Sequence, residues 1–102
     1  SVNFNIATAI PSYSGKYESV TVKISDTLSQ GLKLDKKSNS KDYNVTVKVG
    51  ADNVEQGENY SNYKLEPSDN GFTITFNSDY ALANSGKSVT VTYSATLQEM
   101  HQ

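Results

Sequence analysis

Apolar and polar residues alternate with a period of two along most of this chain. Val2, Phe4 and Ile6 are separated by Asn3 and Asn5 and followed by Ala7, and Val20, Val22 and Ile24 alternate with Thr21, Lys23 and Ser25. Successive side chains of an extended strand point to opposite faces, so each run predicts a strand with one buried face. The first ends at the Ile10-Pro11 step, because the residue before proline is held extended, and residues 11–16 carry the Pro, Ser and Gly of a loop. Carrying the parity of the second run forward places Asp26 on the apolar face. A carboxylate there must be paired, hydrogen-bonded or protonated.

Residues 27–32 read as a turn, with Leu28, Leu32 and Leu34 available to plug one end of a core, and residues 33–42 are polar and read as solvated. Tyr43, Val45, Val47 and Val49, opposite Asn44, Thr46 and Lys48, make the clearest strand. Residues 50–59 read as a long acidic loop. Tyr63 and Leu65 lead into Pro67-Ser68-Asp69-Asn70-Gly71, and Phe72, Ile74 and Phe76 lead out, a hairpin whose Pro67 implies a loop longer than two residues. Residues 79–84 suit a short helical turn closed by Ser85-Gly86. The last strand runs from Ser88 to Leu97, with Val89, Val91, Tyr93, Ala95 and Leu97 on one face. Six or seven strands without an amphipathic helix predict an all-β fold, an immunoglobulin-like β-sandwich of about seven strands, ahead of a barrel.

A chain of 102 residues fits a single domain, 1–102, with one modest core. Nine basic and eleven acidic residues give a net charge of -2 and are scattered along the chain, so there is no basic footprint for nucleic acid. No apolar stretch approaches the roughly 20 residues of a membrane span, so no membrane insertion is expected from this segment. The chain opens on Ser1 with no signal-peptide pattern. It is therefore expected to be excised from a longer surface protein, with export signal and anchor elsewhere. Cysteine is absent, which excludes disulfides and thiol chemistry. A Thr- and Tyr-rich β composition without Cys fits a bacterial surface module.

Three phrases, taken in order, carry a family resemblance. Val2-Asn3-Phe4-Asn5-Ile6 ending in Ile10-Pro11, then Ile24-Ser25-Asp26-Thr27-Leu28 with Gly31-Leu32, then Gly86-Lys87 running through Val91-Thr92-Tyr93-Ser94-Ala95-Thr96-Leu97, together resemble the isopeptide-forming D2-type domain of Gram-positive fimbrial (pilin) subunits. The resemblance implies a Lys on the first strand that attacks the carboxamide of an Asn after the last, releasing ammonia, with a buried acid assisting. Such an amine is nucleophilic when neutral, and a protonated carboxyl polarises the amide carbonyl. Asp26 matches the family's acid. Gln98 stands where the family has its Asn, one methylene too long and, by alternation, on the face opposite Leu97. No residue of the given sequence occupies the family's Lys position, and the resemblance leads one to expect that the N-terminal Lys-bearing segment is lacking. No internal isopeptide bond is therefore expected, unless a Lys strand arrives from a neighbouring segment or subunit.

Each candidate has a plainer reading. Asp26 is either that acid, active or relic, or a turn residue capping the amide of Leu28 or Ser29. Lys16, Lys23 and Lys87 are the candidates in the chain for an amine partner, and position or parity puts all three in solvent. Asp52, Asn53, Glu55 and Glu58 offer oxygen ligands without the spacing of a cation loop, so no metal and no cofactor is expected. Tyr43, Tyr63 and Tyr93 share parity with apolar neighbours and read as core, whereas Tyr13, Tyr17, Tyr60 and Tyr80 lie in or beside loops and are the candidates for a binding surface. Asn44-Val45-Thr46 and Asn59-Tyr60-Ser61 match a glycosylation acceptor that matters only in a eukaryotic secretory route, and His101 stands in a tail without triad or zinc partners. The resulting expectation is a non-enzymatic structural domain of a pilus or cell-wall-anchored surface protein. It would be extracellular, on the surface of a Gram-positive bacterium, with neighbouring domains or pilin subunits as partners. The alternative is an adhesin module that binds a host glycan or matrix protein through its loops.

Overall fold

The computed structural model describes residues 1–13, 15, 18–38, 40–68 and 70–98. These form strands β1 (Val2–Ala9), β2 (Lys23–Thr27), β3 (Leu32–Leu34), β4 (Val45–Val49), β5 (Asp52–Val54), β6 (Tyr63–Ser68), β7 (Gly71–Phe76) and β8 (Ser88–Leu97), with one short helix, α1 (Ser78–Ala83). All pairings are antiparallel. In the larger sheet β8 is central, bonded along one side to β1 and along the other to β4 and then β3, with β5 outside β4. In the smaller sheet β7 lies between β2 and β6. The fold is the all-β sandwich that the alternation predicts.

The core is the inward faces of the two central strands and their neighbours. Val47, Val89 and Val91 from the large sheet meet Ile74 from the small one, and Ile10 closes one margin; all are under 2% exposed. Burying each such side chain contributes about 1.5–3 kcal/mol. Helix α1 follows β7 directly: the Asn77 side chain accepts the Tyr80 amide as an N-cap, and Ala81 is fully buried against the core.

Several local expectations are corrected. Residues 33–42 are not simply solvated: β3 occupies residues 32–34, Leu34 is buried, and the Asp35 amide donates to the Ser94 carbonyl at 3.0 Å. Residues 50–59 are not one loop. Gly50, at φ 59, turns the chain so that β5 pairs back on β4, and a 3-10 turn follows at Glu58–Tyr60. The 63–76 hairpin closes over two residues, since Ser68 faces Gly71, and Pro67 sits inside β6. It is tolerated there because β6 is an edge strand. The second strand is shorter than its apolar run, starting at Lys23, although the Phe76 amide still donates to the Val22 carbonyl. The fourth starts at Val45, leaving Tyr43 half-buried in a lone bridge to Lys36. Leu97 has inward parity but is 71% exposed, because β8 runs past the end of the core.

Candidate functional site

Asp26 lies on β2 opposite Phe72 of β7. The neighbouring pair is Thr27 and Gly71, and a Cβ at Gly71 would fall on the Asp26 carbonyl oxygen, so glycine permits this close pairing. The Asp26 side chain turns towards the large sheet, where the Tyr93 hydroxyl donates to its Oδ2. Two rings fix Tyr93: Phe4 stacks on it at 5.1 Å and 12°, and Phe72 meets it edge-on at 4.9 Å and 75°. Burial, followed by the hydrogen bond to Asp26 and the charge on that carboxylate, pushes the Tyr93 phenol up to about 12. The phenol is therefore a standing donor at neutral pH.

The carboxyl faces inward, as parity requires, but it is half-buried and not sealed between the sheets. It opens on a cleft of about 220 Å³ lined by Phe4, Thr27, Leu28, Ser29, Leu32 and Tyr93. The Leu28 amide does not take Asp26 as its cap, since it donates to the Asn70 carbonyl at 2.8 Å. No amine or carboxamide side chain lines this cleft among the described residues. Gln98 is exposed, and its backbone amide donates to the Gly31 carbonyl at 2.6 Å. Lys23 points outward from β2 opposite Thr75, and Lys87 is exposed beside Ile10. Lys16 lies outside the described residues. The arrangement thus sets one acid against one phenol, a geometry suited to holding two sheets in register, with no amine beside it among the described residues.

A second carboxylate escaped the sequence reading. Asp35, just after β3, accepts the Ser1 hydroxyl and, at 2.6 Å, the Thr96 hydroxyl, and these bonds hold its pKa below the usual carboxylate value. It joins the start of β1 and the end of β3 to the end of β8. No local pattern signals this, because the partners lie 34 and 61 positions away.

Among the tyrosine candidates, Tyr13 is half-buried, and its amide donates to Ser85 Oγ at 2.7 Å. Tyr80 stacks on Phe76 at 6.0 Å and 8°, with burial and the charge of Asp52 raising its pKa. Tyr60 is 50% exposed, with Lys64 Nζ 5.3 Å from its ring centre. It stands on left-handed backbone, φ 57, directly after Asn59 at φ 55. Tyr17 and His101 lie outside the described residues. Among the described residues no group of three or more acidic, His or Cys side chains could hold a metal ion, and no helix is long and apolar enough to cross a membrane.

Two packed antiparallel sheets form a β-sandwich domain, and its structural likeness to a pilus backbone protein makes it pilin-like. The pilus backbone protein RrgB of Streptococcus pneumoniae is similar in structure, with a TM-score of 0.68 and 30% sequence identity over 93% of this chain. The match covers 20% of RrgB, so the chain spans about a fifth of that protein's length. No protein-family model matches the chain, and no curated protein matches it in sequence.

Proposed function

We propose that this chain is a structural domain of a Gram-positive pilus or cell-wall-anchored surface protein, exposed outside the cell, stiffening its parent and catalysing no turnover. The observation that carries this reading is the likeness to a pilus backbone protein over nearly the whole chain. In this reading the domain is of the D2 type but makes no internal isopeptide bond. Asp26 occupies the position of the family's assisting acid, and here it serves as the acceptor that ties β2 to β8 through Tyr93. A stiff strut needs a single cooperative fold with few exposed flexible segments. Limited proteolysis of the folded chain tests the reading: survival of the sandwich under conditions that digest its unfolded form supports it, and rapid cutting within the strands removes it.

A second reading, an adhesin that binds a host glycan or matrix protein, is favoured by Tyr60. An aromatic residue displayed on left-handed backbone has a conformational cost of order 1 kcal/mol, which a binding role would explain. A glycan and matrix-protein array decides between them. The adhesin reading requires a ligand whose binding is lost on Tyr60→Ala; the structural reading expects none.

A further inference from the structure

The long outer edge of β1 is open, and the hydrogen-bond phase shows which groups face it. The Ile10 amide donates to the Lys87 carbonyl, extending the pairing in which Ala9 faces Ser88. On the other side of β8, Ser88 and Ser94 accept from Gly50 and Asp35, and the Gln98 amide donates to Gly31. Antiparallel strands bond through alternate residues. Odd-numbered residues of β8 therefore bond to β1, and even-numbered ones to β3 and β4. It follows that the even-numbered residues of β1 face β8, while the N–H and C=O groups of Asn3, Asn5, Ala7 and Ala9 point outward. Among the described residues none of these outward groups has a partner.

The other sheet edges are guarded. β2 carries Lys23 and Asp26, β6 carries Lys64, Glu66 and Pro67, and β3 and β5 are three residues long. Short edges, charges and proline are the devices that keep strands from pairing with other chains. β1 has none of them over eight residues.

We propose that β1 is an association edge and that its partner is β1 of a second copy of this chain, paired antiparallel about a two-fold axis at Ile6. Asn5 then exchanges hydrogen bonds with Ala7 of the second copy, and Asn3 with Ala9, so every outward group from 3 to 9 is satisfied. Ile6 faces Ile6, and Phe4 faces Thr8, covering two apolar side chains that are half-buried in the single chain. A second copy fits because the strand is uncharged and its outward bonding set reads the same in both directions: self-pairing opposes no like charges and forms the isologous contact of a two-fold dimer. One strand pair buries less than the roughly 1,200 Å² of a standard stable interface, so the association is weak and concentration-dependent.

Sedimentation equilibrium from micromolar to millimolar concentration, with amide exchange measured at both ends of that range, tests this. The expected result is a shift from monomer to dimer, with exchange at Asn5 and Ala7 slowing by about tenfold while Phe4 and Ile6 are protected throughout. Ala7→Pro removes an outward donor and leaves the bonds to β8 intact, so it should stay folded and monomeric. A wild-type chain that remains monomeric, a dimer that Ala7→Pro leaves unchanged, or new protection on any other strand would overturn the proposal.

Discussion

Tyr63 and Tyr93 are the two most buried phenols described, each 5% exposed and each pushed up to about 12, yet they sit at unlike ends of the sandwich. Tyr63 packs edge-on against Phe76, which in turn stacks on Tyr80, and its hydroxyl donates to the backbone carbonyl of Val54 at 2.9 Å. That end is closed by β5, β6 and α1. Tyr93 leans on a half-buried Phe4 from an edge strand, and its hydroxyl goes to a side-chain carboxylate beside an open cleft. A backbone acceptor fixes a strand whatever its sequence, whereas a carboxylate acceptor has to be placed by the sequence and carries chemistry with it. The first arrangement clasps a side chain to the backbone, and the second clasps two side chains across the sheets beside an open cleft.

The widest gap between the two ends should appear on removing their rings. Phe76→Ala empties a fully packed position and should cost about 3–5 kcal/mol, while Phe4→Ala at the open mouth should cost about 1–2 kcal/mol, read from urea unfolding midpoints at equal slope. Equal losses would mean that the cleft end is as tightly packed as the closed one. Next comes the Tyr93–Asp26 pair. A double-mutant cycle of Tyr93→Phe with Asp26→Ala should give a coupling of about 1–2 kcal/mol, whereas Tyr63→Phe alone should cost about 1 kcal/mol through the unpaired Val54 carbonyl. A coupling near zero would leave Asp26 as a solvated edge residue.

Alkaline pH gives the finest comparison. Both phenols ionise near 12 when folded against 10 for the free group, so the folded chain holds its protons more tightly. Their contribution to stability is complete below pH 10 and is lost as pH rises towards 12. Tyr93→Phe and Tyr63→Phe should each flatten that decline by a similar amount, because desolvation is the leading cause in both. A flattening confined to one of them would assign the loss to that end alone.

Alternation made β1, β4, β7 and β8 legible, because each is long enough to show at least two inward residues. It could not show β3 or β5, since a three-residue strand has no period: Leu34 reads as a plug for one end of the core but not as part of a strand, and Val54 as a loop residue, until the sheet supplies their partners. Pro67 misled for the opposite reason: its effect depends on whether the strand lies at an edge, which is a property of the assembled sheet. Likewise β1 and β4 read as equivalent half-buried strands, although β4 is flanked on both sides and β1 on one. At the site, parity alone placed Asp26 on the inner face. Its partner, 67 residues away on the opposite sheet, was outside the reach of any local pattern.

We propose that packing and the Asp26–Tyr93 hydrogen bond hold these sheets together without a covalent tie. Intact-mass spectrometry of the unfolded 102-residue chain addresses it directly. The account requires the full mass of the sequence, and a deficit of one ammonia would contradict it.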